Sequence, residues 1–182
     1  CALPISEHLG FPLGADRKLA GWESIISYLT KLDQESERVF HQTIGISTQG
    51  RPIGLTVVSS EENMARLNLH RQTAKRLSDP RTLSRAAVDS LVAEGKVFIL
   101  FLCNQHSNEI ASSNTALELA WSLAEGKDPE MERALRDVIV MIVPSANPDG
   151  QDMIVDYYDR FAGTPYEGGD MPWLYHQYAG HD

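Results

Sequence analysis

Apolar residues along this chain recur with two periods. From Trp22 to Leu32 they fall at Trp22, Ile25, Ile26 and Leu29, the spacing that places one face of an amphipathic helix against a core. Val39 to Ile46 and Ile53 to Val58 read as strands instead. The intervening STQGRP is turn chemistry, so the two strands are expected to form a hairpin. Ser59 or Ser60 is placed to cap a helix predicted from Glu61 to Leu77, which SDPR terminates. A further helix is predicted over Ser84 to Ala93, ended by Gly95.

The next segment departs from amphipathic alternation. Val97 to Cys103 is continuously apolar, with β-branched and aromatic residues, which predicts a strand buried on both faces. Ile110 to Ala124 has helical spacing at Ile110, Leu117, Trp121 and Ala124, widened by Leu119, Ala120 and Leu123. A short helix around Pro129 to Leu135 follows, and then a second apolar strand, Val138 to Val143. Strand, helix and strand of these lengths form a crossover unit, so the two strands are expected to be parallel. The fold expected is α/β: a mixed, mostly parallel sheet flanked by helices, in one domain spanning residues 1–182.

Composition narrows the classes of function. The chain has 182 residues, 42% hydrophobic and 23% charged, with a net charge of −9. That acidity argues against a nucleic-acid partner. No apolar run approaches the roughly 20 residues of a membrane-spanning helix. Two cysteines give no disulfide framework. Cys103 reads as a buried free thiol. Cys1 is either the lipid-bearing residue left by a processed lipoprotein signal or simply where the given sequence starts.

Parallel strands direct attention to their carboxyl ends, where ligand sites of open α/β sheets gather. His106 and Glu109 lie just past the first apolar strand, and PSANPDG, Pro144 to Gly150, lies just past the second. Both loops therefore open on one edge. An imidazole and a carboxylate three residues apart are able to bind one zinc ion, and His106 alone among the six histidines has Glu at that spacing. The alternative is structural: Glu109 favours the start of the following helix, and His106 is a polar loop residue. Asn147 and Asp149 are expected to shape their own turn through bonds to backbone.

Three motifs occur together in order. IGISTQGRPI (Ile44 to Ile53) is similar to the strand-turn-strand of the M14 zinc carboxypeptidases, HSNE to their H-x-x-E zinc motif, and NPDG (Asn147 to Gly150) to their motif after the next strand. The resemblance spans about Trp22 to Gly150. It implies a zinc-carboxypeptidase-like fold, of which this chain is the amino-terminal portion. It also implies a Zn2+ cofactor, with His106 and Glu109 as two of three protein ligands, Glu109 gripping the ion through both oxygens. The implied reaction is hydrolysis of the C-terminal peptide bond of a peptide substrate by a metal-activated water. The family's third ligand, a histidine, its general base, a glutamate, and the arginine that holds the substrate carboxylate are expected beyond Asp182, so this piece alone is expected to be inactive. Asp182 corresponds to the aspartate of a family Asp-x-Asn-Arg segment and is implied to orient the ring of His106. Arg160 falls near the family's oxyanion-polarising arginine. His176 and His181 do not match the third ligand, and Trp173, Tyr175 and Tyr178 are expected to bury their segment. The family setting is secreted or periplasmic.

Two other readings stay open. HSNE also resembles the H-G-N-E of aspartoacylase-like zinc deacylases, which share the fold and cleave amides of small acyl amino acids. The third possibility is a non-catalytic domain of the same fold.

Overall fold

Four strands pair into one sheet in the order β1-β2-β4-β3 in the computed structural model, which describes residues 4–170. Strands β1 (Val39–Ile46) and β2 (Pro52–Val58) form the expected antiparallel hairpin, from Val39 opposite Val58 to Ile46 opposite Pro52. At its turn the Ser47 N–H donates to the Arg51 carbonyl at 2.8 Å, and the Gly50 N–H donates to the Ser47 carbonyl at 3.0 Å. Gly50 has φ +85°, which a side chain would strain, so the turn requires glycine there. Strand β4 (Val138–Val143) runs antiparallel to β2 and parallel to β3 (Val97–Leu102), with Val97 opposite Val138 and Leu102 opposite Val143. The sheet is thus mixed; of its three described pairings, β3/β4 is parallel.

One face of the sheet carries the core. Helix α2 (Trp22–Glu35) buries Trp22, Ile25, Tyr28, Leu29 and Leu32, the expected stripe continued for one more turn. Helix α6 (Ile110–Glu125) makes the crossover from β3 to β4 and buries Ala116, Leu117, Ala120 and Leu123 against Val140 and Ile142. A short helix, α1 (Ile5–Leu9), adds Ile5 to this cluster. Helix α7 (Pro129–Leu135) begins where Asp128 accepts hydrogen bonds from the Glu130 and Met131 N–H groups and Pro129 takes the first helical position.

The segment predicted as a single helix from Glu61 to Leu77 is two. Helix α3 (Glu61–Ala65) and helix α4 (Leu67–Ser78) are separated at Arg66, where φ −112° and ψ 16° leave the helical region. A one-residue break preserves the apolar period, so periodicity does not register it. Ser60, rather than Ser59, is the cap, accepting from the Asn63 N–H. Ser59 is buried and donates to the carbonyls of Leu135 and Val138. The Asn63 amide donates to Leu135, Arg136 and Ser59, which pins α3 to the chain entering β4. Pro80–Thr82 forms a 3-10 turn, and Ser84 caps helix α5 (Arg85–Glu94) before Gly95.

Strand β3 contradicts the expectation of burial on both faces. Val97 is 59% exposed and Leu100 54% exposed, and they lie on opposite faces of the strand. The cause is topology: β3 is the edge of the described sheet and pairs with β4 alone. Helix α4 reaches only part of this region, where Asn68, Arg71 and Lys75 border a groove floored by Phe98 and Met141.

Helix α8 (Pro148–Phe161) starts within NPDG, where a loop is expected. Asn147 is its cap and Pro148 its first residue, so the motif begins a helix.

Candidate metal centre

The two parallel strands leave the sheet bound to each other. The Cys103 N–H donates to the Val143 carbonyl at 2.9 Å, and the Ala146 N–H donates back to the Cys103 carbonyl at 2.9 Å. Asn104 then turns the chain at φ 47°, a left-handed conformation that asparagine tolerates better than most side chains. Its backbone N–H donates to Ser112 Oγ, and Ser112 Oγ donates to the Glu109 carbonyl. These bonds fold residues 104–109 back over the start of α6.

His106 and Glu109 project from that fold toward each other. Imidazole Nδ1 lies 3.3 Å from carboxylate Oε1, and both side chains are about half exposed. The Glu109 N–H donates to the His106 carbonyl at 3.0 Å, which sets the two residues on one turn. Although Glu109 stands at the cap position of α6, its side chain makes no capping hydrogen bond. The carboxylate turns to the imidazole instead, while Glu109 keeps the place at the start of α6 that favours an acidic residue.

The separation suits a shared zinc ion. With zinc–nitrogen and zinc–oxygen bonds of about 2.1 Å, two donors on one edge of a tetrahedron stand about 3.4 Å apart. The donor set, one imidazole and one carboxylate reachable from solvent, is of the kind zinc takes. Among the described residues no group of three or more His, Cys, Asp or Glu side chains converges, at this pair or elsewhere.

The loop after β4 is tied to the loop that carries the pair. Asn147 Oδ1 accepts from the Gly150 N–H at 3.0 Å, as expected for a turn-shaping side chain, and Asn147 Nδ2 donates to the Gln105 carbonyl at 3.4 Å. Asp149 acts differently from expectation, because its carboxylate reaches out of its own turn to the hairpin. It accepts from Ser47 Oγ at 2.6 Å, from the Gln49 N–H at 3.0 Å and from Arg51 Nη1 at 2.9 Å. Arg51 Nε donates to Asp152 Oδ2 at 2.6 Å, and Asp152 Oδ1 accepts the Trp22 N–H at 2.7 Å. Burial raises the Asp149 pKa, but the bonds from Ser47, Gln49 and Arg51 outweigh it and hold the carboxyl below its ordinary value.

Beneath these loops lies a polar cluster that sequence reading missed. Gln151 is fully buried. Its Oε1 accepts from Asn104 Nδ2 and Ser113 Oγ, and its Nε2 donates to the Ala20 carbonyl. Asn104 Nδ2 also donates to Ser145 Oγ. The ends of β3 and β4 and the starts of α6 and α8 thus meet at one amide. The available signal was Ser113 on the buried face of α6, a polar residue at a core position. Cys103 is a half-buried free thiol whose pKa burial raises.

The remaining candidates are not gathered here. Arg160 is exposed in the last turn of α8, about 15 Å along the helix from Gly150 by the ordinary rise per residue. Asp182, His176, His181, the aromatic residues Trp173, Tyr175 and Tyr178, and Cys1 lie outside the described residues. Among those described, no helix is long and apolar enough to cross a membrane.

The mixed β1-β2-β4-β3 sheet with its flanking helices is an α/β fold with counterparts among known structures. Thrombin-activatable fibrinolysis inhibitor superposes with a TM-score of 0.56 at 18% identity, covering 83% of this chain and 32% of that one. Carboxypeptidase A from Helicoverpa armigera gives 0.55 at 18% identity, covering 92% and 37%. At these identities the likeness establishes the fold, and the chain spans about a third of the length of these structures. Among curated sequences none matches. The profile of the zinc carboxypeptidase family, peptidase family M14, matches residues 25–171, most of the chain, and the chain belongs to that family.

Proposed function

We propose that this chain forms part of a zinc-dependent metallocarboxypeptidase that hydrolyses the C-terminal bond of peptides, with His106 and Glu109 as two of its metal ligands. The observation that carries this is the 3.3 Å approach of His106 Nδ1 to Glu109 Oε1 at the carboxyl end of a parallel strand. Zinc bound there supplies Lewis acidity and an acidified water. The residues of this chain contribute placement. Asn104 and Ser112 fold the loop, His106 and Glu109 present one nitrogen and one carboxylate, and Asn147 and Gly150 support them from the neighbouring loop. Asp182 is assigned, on the family motif, to orient the His106 ring. Arg160, in the last turn of α8, is assigned the oxyanion-polarising part on the family motif alone. The third ligand and the general base are assigned to polypeptide beyond Asp182, and a secreted or periplasmic setting belongs to the same reading.

The test is zinc analysis and peptide hydrolysis by the full-length protein. The expected result is about one zinc per chain after dialysis and release of C-terminal amino acids, both abolished in His106→Ala. Retention of zinc and rate by that variant contradicts the assignment. Cleavage of acylated amino acids in place of peptides transfers the chain to deacylase chemistry, and a full-length protein without zinc identifies a non-catalytic domain.

A further inference from the structure

Arg51 lies in the hairpin turn, on a different element from both metal-ligand candidates. We propose that it is a positioning residue for them: through Asp149, Gly150 and Ser107 it fixes where His106 and Glu109 stand. The inference rests on the metal-site reading above.

The path runs from ion pairs to close packing. The Arg51 guanidinium bridges two carboxylates at the start of α8, with Nη1 2.9 Å from Asp149 Oδ1 and Nε 2.6 Å from Asp152 Oδ2. The planar fork of arginine spans both, whereas a lysine ammonium is a single point charge and does not reproduce the fork. Ser47 Oγ and the Gln49 N–H hold Asp149 from the same hairpin turn, and the Trp22 N–H holds Asp152 from the start of α2. The first turn of α8 is therefore fixed to two other elements.

From there the contact to the metal-ligand loop is backbone against side chain. Gly150 is buried, and a Cβ added to it would lie 2.4 Å from Ser107 Cβ, closer than such atoms approach. Ser107 is itself 1% exposed, with His106 beside it in sequence. Neither partner has room to yield, so a displacement of the start of α8 carries residues 105–109 with it. Asn147 Nδ2 on the Gln105 carbonyl gives the same loop a second tie. Glycine at position 150 is required by this close approach, not by its backbone angle.

The test uses the full-length protein and two readouts. The first is zinc affinity, measured by competition with a chromophoric chelator well below the unfolding temperature. The second needs no metal: hydrogen exchange of the amides of residues 105–109 in the metal-free protein. Arg51→Lys is expected to weaken zinc binding about 10-fold or more, as loss of a ligand-orienting partner does elsewhere, and to speed exchange at residues 105–109. Gly150→Ala is expected to do the same by displacing both Ser107 and the Asn147 side chain that caps α8, and keeps the idea testable should Arg51→Lys fold poorly. Arg85→Leu, which removes an exposed ion pair with Asp89, serves as the control and leaves both readouts unchanged. A lower unfolding temperature in Arg51→Lys and Gly150→Ala with unchanged affinity and exchange overturns the proposal and leaves Arg51 as a fastening of the hairpin. Faster exchange in a protein whose wild type binds no zinc sustains the positioning and rejects the metal reading.

Discussion

Single polar side chains decide more of this molecule than its composition suggests. The His106–Glu109 pair was legible in the sequence because its members are three residues apart and follow an apolar strand. The bonds around Asp149 were not: its partners Ser47, Gln49 and Arg51 lie about a hundred positions away in the chain. A local pattern reads such residues as turn or surface. The sign of their effect on stability follows from the pKa. Asp149 titrates below its ordinary value of 3.8 in the folded chain, so its contribution is fully present above that value. It is lost as pH falls through the lower folded value. Acid unfolding followed by circular dichroism should show this loss, and Asp149→Asn should be less stable at neutral pH with a flatter acid limb. An acid limb as steep as that of the wild type contradicts the assignment. Gln151 gives a second expectation. Gln151→Met keeps the volume but leaves Asn104, Ser113 and the Ala20 carbonyl short of partners, at a cost of about 2 kcal/mol. For a domain of this size that lowers the melting temperature by roughly 4–8 °C; an unchanged value in scanning calorimetry shows the cluster to be dispensable.

Helices and strands with a strong period were readable almost to the residue. Strands β1 and β4 and helix α7 have the bounds the sequence implies, because each is a short apolar run or a capped segment between clear breakers. The hairpin followed from the turn chemistry of STQGRP, and the parallel crossover from the lengths of strand, helix and strand. The failures have physical causes too. The division of α3 from α4 keeps the apolar register. Helix α8 begins inside a motif whose Asn-Pro and Asp-Gly pairs are equally the signature of a turn. Packing at this scale is concentrated where α2 and α6 meet the sheet, and Leu117 is fully buried there. Leu117→Ala should cost about 3 kcal/mol by loss of contact and creation of a cavity. Chemical denaturation measures it, and a loss below about 1 kcal/mol would place the main core elsewhere.

The molecule as a whole presents an imbalance. Its continuous apolar strand lies at the edge of the described sheet, with Val97, Ile99, Leu100, Phe101 and Leu102 all substantially exposed. Exposed apolar edges pair with other chains. The sequence indicated the burial this strand is suited to, and the described residues do not supply it. Left uncovered, this edge should drive self-association, and Leu100→Lys should reduce any such association of the 182-residue chain in light scattering. In the full-length protein the same substitution should destabilise the fold, and tolerance there would show that nothing covers the strand. The catalytic claim is tested most directly by the anomalous scattering of a crystal of the full-length protein across the zinc absorption edge. The account predicts one peak within about 2.1 Å of His106 Nδ1 and in bonding contact with Glu109. A zinc peak elsewhere, or density with the two side chains turned apart and no ion between them, contradicts it.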